Sequence, residues 1–438
     1  MNRENLEAWD RAHVWHPYTR ASAAAEGGLP FIVRGEGIHL IDAKGRRYVD
    51  AISSWWCAAL GHGHPAIVSA IQQQAAQLQH SILGNLAHPG AAELAAKLAA
   101  LMPTPDRHVL FASDGASAVE QALKIAVQYQ HNIGQTRRTR FACLDGAYHG
   151  DTLGAMGVGY QEEWHRPFRR LLAEAVMMPF PEEVSGVRFQ VSGEILEPHS
   201  EELAAVIVEP LCLGAAGMEM YPAAWLTDLA AWCKAHGVLL IVDEIAMGFG
   251  RTGRMFAFDH AGIDPDLVCV GKALTAGALP LSATIARDAL YRTFDDAHTL
   301  QHGHTFCGNP IACAAALAAL AVYENIDVAR RARELGEILR EELTQLAGHP
   351  RVKALRFLGA IGVVELHPEE GARQPSLPHR IRLHLQAQSV LLRPLGNVLY
   401  LLPPLIATPA EVRHLSAHLR QAICTIDDAE PHGRARVV

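Results

Sequence analysis

Three ionisable residues directly follow apolar runs in the middle of the chain. Asp243 follows VLLIV, Lys272 follows LVCVG and Glu209 follows AAVIV. A lysine in that position is partly desolvated, which lowers its pKa and frees the amine for nucleophilic attack. Any one of the three alone is as readily a polar residue where a strand meets solvent. Because the carboxyl ends of parallel strands border the ligand crevice of an open sheet, we expect all three to share one site.

An amine and a carboxylate at neighbouring strand ends match the needs of pyridoxal-5′-phosphate (PLP). The lysine forms an imine with the cofactor aldehyde, and the acid keeps the pyridine nitrogen protonated so that the ring accepts electrons. Lys272 and Asp243 are the candidates for these two roles. Tyr148, just past another apolar run, is a candidate to stack on the ring, with a purely structural tyrosine as the alternative.

The cofactor phosphate requires backbone N–H groups, which a helix N-terminus supplies together with a favourable dipole. The segment SDGAS (113–117) lies between an apolar run and a helical pattern. Gly115 permits close approach of the backbone, and the amides of Ala116 and Ser117 at the start of the helix can donate to an anion. The same letters also form a common turn and N-cap, so this motif alone is weak.

Several other motifs in the chain point to different chemistry but fail in detail. Gly248, Gly250 and Gly253 spell G-x-G-x-x-G, but the acid precedes them and no long helix is predicted after Gly253. Lys272 is not part of a Walker A loop, because Ala273 stands where serine or threonine is required. The histidines of GHGHP and QHGHTF lack zincin spacing, so we predict no metal site.

The elements that would position these residues alternate between apolar runs and helical patterns over about residues 106–290. This alternation predicts βαβ units and a mostly parallel sheet. A helix is predicted from about Ala223 to Gly237. Residues 30–50 resemble a meander of short strands, and helices followed by strand-like segments come after about residue 320. The predicted strands of the sheet are 108–112, 140–144, 204–208, 238–242 and 267–270.

The bulk composition narrows the classes of protein. The chain has 438 residues, 50% hydrophobic and 19% charged, with a net charge of −8, which argues for a large globular core of more than one domain and against disorder. Its charges form no basic patch for nucleic acid or an anionic membrane. The polar start lacks a signal-peptide core, and residues 311–323 form an Ala-rich run that is too short to span a bilayer. Eight cysteines without a CxxC pair predict the reducing cytoplasm.

The segment 242–277 resembles the signature of the class III, fold-type I aminotransferases. A likeness to one branch of that family, which serves biotin synthesis, runs from about residue 10 to 410. It rests on the segments WHPYT (15–19), 50–56, 145–152, 305–310 and 392–397.

This resemblance implies an α/β fold, the PLP-dependent transferase fold type I. A large domain with a mostly parallel central sheet is expected over 61–320. A smaller α+β domain is expected from the two chain ends, 1–60 and 321–438. The active site would lie at the subunit interface of a homodimer. The activity implied is conversion of 8-amino-7-oxononanoate to 7,8-diaminononanoate, with S-adenosylmethionine as amino donor.

The resemblance also implies roles for the residues that match the family's motifs. Lys272 would be the Schiff-base lysine and the acid/base, and Asp243 would pair with the pyridinium nitrogen. Phosphate contacts would come from Gly115, Ala116 and Ser117, and from Gly303, His304 and Thr305 of the partner subunit. Tyr148 would pack on the ring with Glu209 near it. The expected substrate pocket comprises Tyr18, which is also a catalytic candidate, together with Trp55, Tyr148, Lys272, Gly303, Arg393, Arg251 and Asp151.

The residue types suit such a substrate, because an apolar chain needs aromatic walls and its carboxylate needs a guanidinium. Two positions depart from the branch's usual pattern: Ala116 often is serine there and His304 often is proline. Three alternatives stay open from the sequence: a class III aminotransferase acting on a diamine or an acetylornithine-like substrate, an NAD-dependent oxidoreductase, and a non-catalytic binding protein. Whether the donor is S-adenosylmethionine or lysine also stays open.

Overall fold

The fold is known from a computed structural model that describes residues 3–20, 29–181, 190–369 and 376–426. Its strands in chain order are β1 Ile32–Glu36, β2 His39–Asp42, β3 Arg47–Asp50, β4 Arg107–Ala112, β5 Arg140–Leu144, β6 Val176–Met178, β7 Leu203–Val208, β8 Cys212–Leu213, β9 Glu219–Met220, β10 Leu239–Asp243, β11 Leu267–Val270, β12 Ser282–Arg287, β13 Val352–Leu358, β14 Ile361–Leu366, β15 Val390–Leu391 and β16 Val398–Leu401.

The helices have the following bounds. The α-helices are Arg3–His13, Pro65–Gln77, Pro89–Ala100, Gly115–Asn132, Leu153–Gly157, Glu162–His165, Gln190–Leu196, Ala223–His236, Asp288–Tyr291, Pro310–Asn325, Val328–Leu343, Leu377–Ala387 and Pro409–Thr425, with a further turn at Ser53–Trp56. Short 3₁₀ helices are Arg166–Leu171, Glu197–His199, Ala257–His260, Lys272–Thr275 and Thr344–Leu346.

A seven-stranded sheet in the order β4-β12-β11-β10-β7-β5-β6 positions the candidate residues. All of its strands run parallel except β12, which is antiparallel to both neighbours. The five predicted strands and the α/β class are confirmed. Two strands, β6 and β12, were missed, because VMM is very short and SATIAR mixes polar with small apolar residues. The parallel strands end at one edge, where Asp243 and Lys272 come together.

Both faces of this sheet are covered by helices, so its strands are buried on both sides. Ile241 and Cys269 of two neighbouring strands pack in a core with Ala122 of helix Gly115–Asn132. Residues that alternate with them, such as Val242, belong to the second core, which includes Leu229 of helix Ala223–His236. This two-sided burial explains why the strands are uninterrupted apolar runs.

The helix predictions are also confirmed by the structure. Helix Ala223–His236 ends at Gly237, whose φ of +65° is the left-handed C-cap that glycine adopts without strain. The Ala-rich run is part of the largely buried helix Pro310–Asn325. Within the described ranges, no single helix is long and apolar enough to cross a membrane; Pro310–Asn325 and Val328–Leu346 meet that test only as a pair bent by 65°.

The two chain ends meet in a second sheet of order β1-β2-β3-β15. Strands β1 to β3 form the predicted meander, and β15 pairs in parallel with β3 through Val49 with Val390 and Asp50 with Leu391. A third sheet, β13-β14-β16, belongs to the C-terminal part. The pairing of β3 with β15 supports a smaller domain built from both ends, whose boundaries 1–60, 61–320 and 321–438 stay predictions.

Candidate active site

A cavity of about 430 Å³ lies at the carboxyl edge of the large sheet. Asp243, Lys272 and Glu209, which the sequence placed at three strand ends, all border it. The remaining lining residues are Trp56, Asp114, Gly115, Ala116, Tyr148, His149, Gly150, Asp151, Thr152, Ile245 and Ala246.

Lys272 begins a short 3₁₀ helix directly after β11 and Gly271. Its φ of +43° lies in the left-handed region, which is rare for a residue with a side chain. The side chain keeps some accessible surface where it borders the cavity. Desolvation by the surrounding protein lowers the pKa of Lys272, although the charges of Asp243 and Glu209 act in the opposite direction. Its Nζ lies 4.6 Å from the centre of the Trp56 ring. The amine is therefore biased toward its neutral, nucleophilic form.

Asp243 ends β10 and is almost fully buried. Its Oδ2 lies 2.7 Å from Nδ1 of His149, and its Oδ1 accepts a hydrogen bond from the Ile245 amide at 3.1 Å. His149 is itself buried, and its Nε2 has no hydrogen-bond partner among the described residues. No role was predicted for His149. Its only signal in the sequence was its place in the segment 145–152.

Glu209 holds the loop that carries Tyr148. Its Oε1 accepts a hydrogen bond from the Tyr148 amide at 3.0 Å, and its Oε2 accepts one from the Gly214 amide at 2.9 Å. Burial raises the pKa of Glu209 to about 7. The carboxyl group thus fixes backbone at the cavity wall, a more specific arrangement than the sequence indicated.

The helix Gly115–Asn132 directs its N-terminus at the same cavity. Asp114 is its N-cap, and the carboxylate accepts hydrogen bonds from the amide and the hydroxyl of Ser117, both at 2.9 Å. Gly115 and Ala116 border the cavity, whereas Ser117 is not among its lining residues. A Cβ on Gly115 would lie 3.0 Å from Ile245, so glycine keeps the helix start close to the sheet. We expect Gly115 and Ala116 to face an anion, while the amide and hydroxyl of Ser117 are bound by the N-cap Asp114.

These residues fit PLP. A partly buried amine, a buried carboxylate and the N-terminus of an 18-residue helix border one cavity of suitable size. The hydroxyl of Thr152, which also borders the cavity, is buried and lacks a hydrogen-bond partner in the described part of the chain. Buried polar atoms are rarely left unpaired, so Thr152 and Nε2 of His149 favour a polar ligand here.

A second group of residues forms an aromatic and cationic surface next to the cavity. Arg393 Cζ lies 3.8 Å from the ring centre of Trp55 and 5.6 Å from that of Tyr18. The two rings pack edge to face at 5.4 Å, and the Tyr18 hydroxyl donates to Oδ2 of Asp151 at 2.5 Å. Trp55 is 37% and Tyr18 56% exposed in the isolated chain. Since Asp151 borders the cavity, this surface adjoins it and is open to a ligand.

Residues 53–56 form a left-handed turn that separates the two neighbouring tryptophans. Their φ values are +49°, +45°, +69° and +72°, at a cost of about 1–2 kcal/mol per residue. Trp55 thereby lies against Arg393, and Trp56 lies against Lys272 and donates from Nε1 to the Tyr400 hydroxyl at 3.1 Å. The sequence indicated a role only for Trp55, because a turn of this kind without glycine leaves no local signal.

Arg251 was expected to support the substrate pocket. It is buried, and its Nη1 donates to the carbonyl of Pro403 at 2.7 Å. Its Nη2 lies 3.5 Å from Oγ of Ser53, at the start of the left-handed turn. Burial lowers the pKa of Arg251 to about 9. The guanidinium group therefore contacts the start of the turn, and Arg251 is not one of the residues that line the cavity.

The segment 303–305 does not border the cavity of its own chain in the described residues. Gly303 and Thr305 are exposed, and the adjacent Phe306 is 59% exposed. The His304 amide donates to Sγ of Cys307 at 3.1 Å. An exposed position leaves these residues available to a partner subunit, which stays a prediction.

The two histidines of GHGHP lie in different surroundings. His62 Nε2 lies 3.0 Å from Oδ2 of Asp50, and His64 directly precedes the helix Pro65–Gln77. In the described ranges, no group of three or more His, Cys, Asp and Glu side chains is arranged to hold a metal ion.

Comparison with known proteins gives one consistent result. A family model described as "Aminotransferase class-III" matches residues 21–423. The adenosylmethionine-8-amino-7-oxononanoate aminotransferase of Synechococcus elongatus is 42% identical, over 92% of this chain and 97% of its own. The protein of the same name from Nitratidesulfovibrio vulgaris is 39% identical, over 97% and 82%.

Solved structures agree with the sequence comparisons. The crystal structure of adenosylmethionine-8-amino-7-oxononanoate aminotransferase from Methanocaldococcus jannaschii superimposes with a TM-score of 0.92 at 37% identity, covering 96% of this chain and 99% of that one. An omega transaminase from Pseudomonas jessenii in complex with PMP gives 0.89 at 28% identity, covering 95% and 97%. The match to the family extends over nearly the whole chain, and its PLP chemistry fits the amine, acid and helix N-terminus of the cavity. This chain belongs to the class III aminotransferase family and is a PLP-dependent aminotransferase.

Proposed function

We propose that this aminotransferase converts 8-amino-7-oxononanoate to 7,8-diaminononanoate in biotin synthesis, with S-adenosylmethionine as amino donor. The observation that carries the proposal is the stacking of Arg393 on Trp55 and Tyr18 beside the cavity of Lys272. The curated relatives named above support it by their names.

The shape of that surface suits a long amino-keto acid. The planar guanidinium of Arg393 can bind a carboxylate through two parallel hydrogen bonds. The rings of Trp55 and Tyr18 present apolar faces to a methylene chain. A substrate held at its carboxylate end by Arg393 then extends its other end toward Lys272.

The chain's own residues divide the work of the reaction. PLP, when bound, supplies an electron-withdrawing ring that stabilises charge on the reacting carbon of the substrate. Lys272 would hold the cofactor covalently before substrate binds; once the substrate amine has displaced it, its free Nζ would take a proton from the reacting carbon and later return one. The lowered pKa of Lys272 favours this exchange, because it increases the fraction of the amine in the neutral form, which accepts a proton.

Other residues orient the ring and the phosphate. Asp243 would face the ring nitrogen, with His149 fixing its carboxylate at 2.7 Å. Tyr148, held by Glu209 through its backbone amide, would pack on the ring. Gly115 and Ala116 would meet the phosphate at the positive end of their helix.

We further propose a homodimer in which Gly303, His304 and Thr305 reach the phosphate site of the partner subunit. The exposure of Gly303, Thr305 and the adjacent Phe306 leaves this segment accessible to a partner subunit. A cytoplasmic location is also proposed, on the ground that six of the eight cysteines are buried as free thiols.

The test follows the two half-reactions separately. S-adenosylmethionine alone should remove the absorbance of the lysine-bound cofactor, and 8-amino-7-oxononanoate should then restore it with formation of diaminononanoate. Lysine is tested as donor in a parallel reaction. If only diamines or acetylornithine act as substrates, the protein is another class III omega-aminotransferase and the proposal is wrong. The higher identity of the biotin-pathway relatives disfavours that alternative.

A further inference from the structure

Residues 53–56 hold a conformation that their own sequence does not favour. Four successive residues have positive φ, although none is glycine and two are tryptophans. Residues other than glycine rarely adopt positive φ, and bulky residues do so least of all. Such strain persists only where surrounding contacts determine the conformation. Something outside the turn must therefore hold it.

Asp50, at the end of β3, makes side-chain hydrogen bonds to the start of the turn and into it, beside those of Ser53 with the Leu402 carbonyl and of Trp56 with Tyr400. Its Oδ1 accepts a hydrogen bond from the Ile52 amide at 3.2 Å, and its Oδ2 accepts one from the Ser54 hydroxyl at 2.7 Å. The same Oδ2 lies 3.0 Å from Nε2 of His62. Burial favours the neutral acid, but the bonds from His62 and Ser54 outweigh it and lower the pKa of Asp50. The carboxylate is thus charged, buried and fully used by its neighbours.

His62 is in turn fixed by backbone contacts. Its amide and carbonyl bond to the carbonyl and amide of Gly37, at 2.7 and 3.0 Å. Its side chain packs on Gly35, where a Cβ would lie only 2.5 Å from Cβ of His62. The carboxylate of Asp50 therefore connects the left-handed turn, through His62, to Gly35 and Gly37 at the edge of the N-terminal sheet.

We propose that Asp50 is a positioning residue, which together with His62 holds residues 53–56 in the left-handed turn. The turn directs Trp55 onto Arg393 and Trp56 onto Lys272, so the Asp50 carboxylate helps to set the positions of both tryptophans. Relaxation of the turn would move the two tryptophans together. The inference rests on the proposed function only for the identity of the amino acceptor.

Cys57 provides a reporter of the turn that does not depend on activity. Its Sγ donates to the carbonyl of Ser54 at 2.9 Å, and the residue is only partly buried. Cys424 is exposed, and the other six cysteines are buried. The labelling rate of Cys57 by a thiol reagent, measured by mass spectrometry relative to that of Cys424, therefore reports opening of the turn.

Asp50→Asn is the test variant, and Asp42→Asn is its matched control. Asp42 is a buried carboxylate on the neighbouring strand β2, where it accepts hydrogen bonds from the amides of Lys44 and Arg46 and from the Tyr48 hydroxyl. None of these hydrogen bonds involves residues 53–56. Both variants lose one buried charge in the same sheet, so a general loss of stability affects them alike.

In the PLP-loaded protein, Asp50→Asn should raise the labelling of Cys57 relative to Cys424 by about tenfold, and slow the acceptor half-reaction by about tenfold or more. Asp42→Asn should change neither quantity. Adding Ser54→Gly to Asp50→Asn should recover part of the loss, because glycine adopts positive φ without strain. An electrostatic role of Asp50 in the chemistry would not be rescued in this way.

Labelling of Cys57 that stays as in the unsubstituted protein would overturn the proposal, as would faster labelling with unchanged half-reactions or an equal effect of Asp42→Asn. If Asp50→Asn does not fold, Ser54→Ala removes only one of the hydrogen bonds and should shift both quantities in the same direction, and no shift would again overturn it. If the protein rejects 8-amino-7-oxononanoate, the proposed function fails, while Cys57 labelling and the half-reaction with any accepted amine donor still test Asp50.

Discussion

Arg393 is the residue whose removal tests substrate recognition most directly. It is only partly buried, and it stacks on Trp55 at 3.8 Å. Two charge-assisted hydrogen bonds to a carboxylate would each contribute about 1.5–3 kcal/mol, and partial exposure favours the lower end of that range. Arg393→Ala should therefore cost about 3 kcal/mol, or roughly 100-fold in KM for 8-amino-7-oxononanoate. The KM of Arg393→Lys should lie between those of the unsubstituted protein and Arg393→Ala, since lysine keeps the charge but lacks the planar guanidinium.

The assay compares 8-amino-7-oxononanoate with its methyl ester as amino acceptor, in the unsubstituted protein and in Arg393→Ala. The ester should be a poor acceptor for the unsubstituted protein, whereas Arg393→Ala should treat acid and ester alike. Arg340→Ala is the control, because Arg340 also stacks on an aromatic ring, Phe357 at 4.7 Å, in the C-terminal part of the chain. If Arg393→Ala still prefers the acid by as large a factor as the unsubstituted protein, Arg393 does not bind the carboxylate and the reasoning fails.

Three further predictions concern the residues around the cofactor. Borohydride reduction of the loaded protein should attach the cofactor to Lys272, and Lys272→Ala should lose this label together with at least about 10²–10⁴-fold in rate. His149→Ala should keep the covalent bond to Lys272 but slow the donor half-reaction by about tenfold, because Asp243 loses its 2.7 Å partner; an unchanged rate would show that His149 only packs there. Glu209 has its pKa raised to about 7, so the folded state holds more protons than the unfolded one between pH 4.5 and 7. Relative to Glu209→Gln, the cofactor-free protein should thus lose up to roughly 3 kcal/mol of stability as pH rises through this window, as measured by denaturant unfolding at several pH values.

The residues at the strand ends that border the cavity can be identified from the sequence, because their positions depend on local patterns. A parallel strand buried on both faces is an uninterrupted apolar run, so its end is visible as the first polar residue. Asp243 and Lys272 are found in this way, and the sheet order brings their strands together as neighbours. The start of the helix at Gly115 can be identified in the same way, because it follows the end of an apolar run.

The substrate side is only partly predictable, because its geometry depends on contacts between distant parts of the chain. Trp55 and Trp56 are adjacent letters, yet the turn sends them to Arg393 and Lys272 respectively. Arg251 does not line the cavity, because its guanidinium donates a hydrogen bond to the carbonyl of Pro403, 152 residues away along the chain. No pattern within one segment encodes such pairings.

The pairing of β3 with β15 explains how residues so far apart form one surface. These strands run parallel, with Asp50 opposite Leu391, so the chain leaves both strands at the same end. Trp55 follows β3 by five residues and Arg393 follows β15 by two, and the Ala51 amide bonds to the carbonyl of Leu391 at 3.1 Å. A slip of one residue would turn side chains to the opposite face of the sheet and separate the indole from the guanidinium. The proposed recognition of the substrate therefore depends on the register of a two-residue strand as much as on the identity of Arg393.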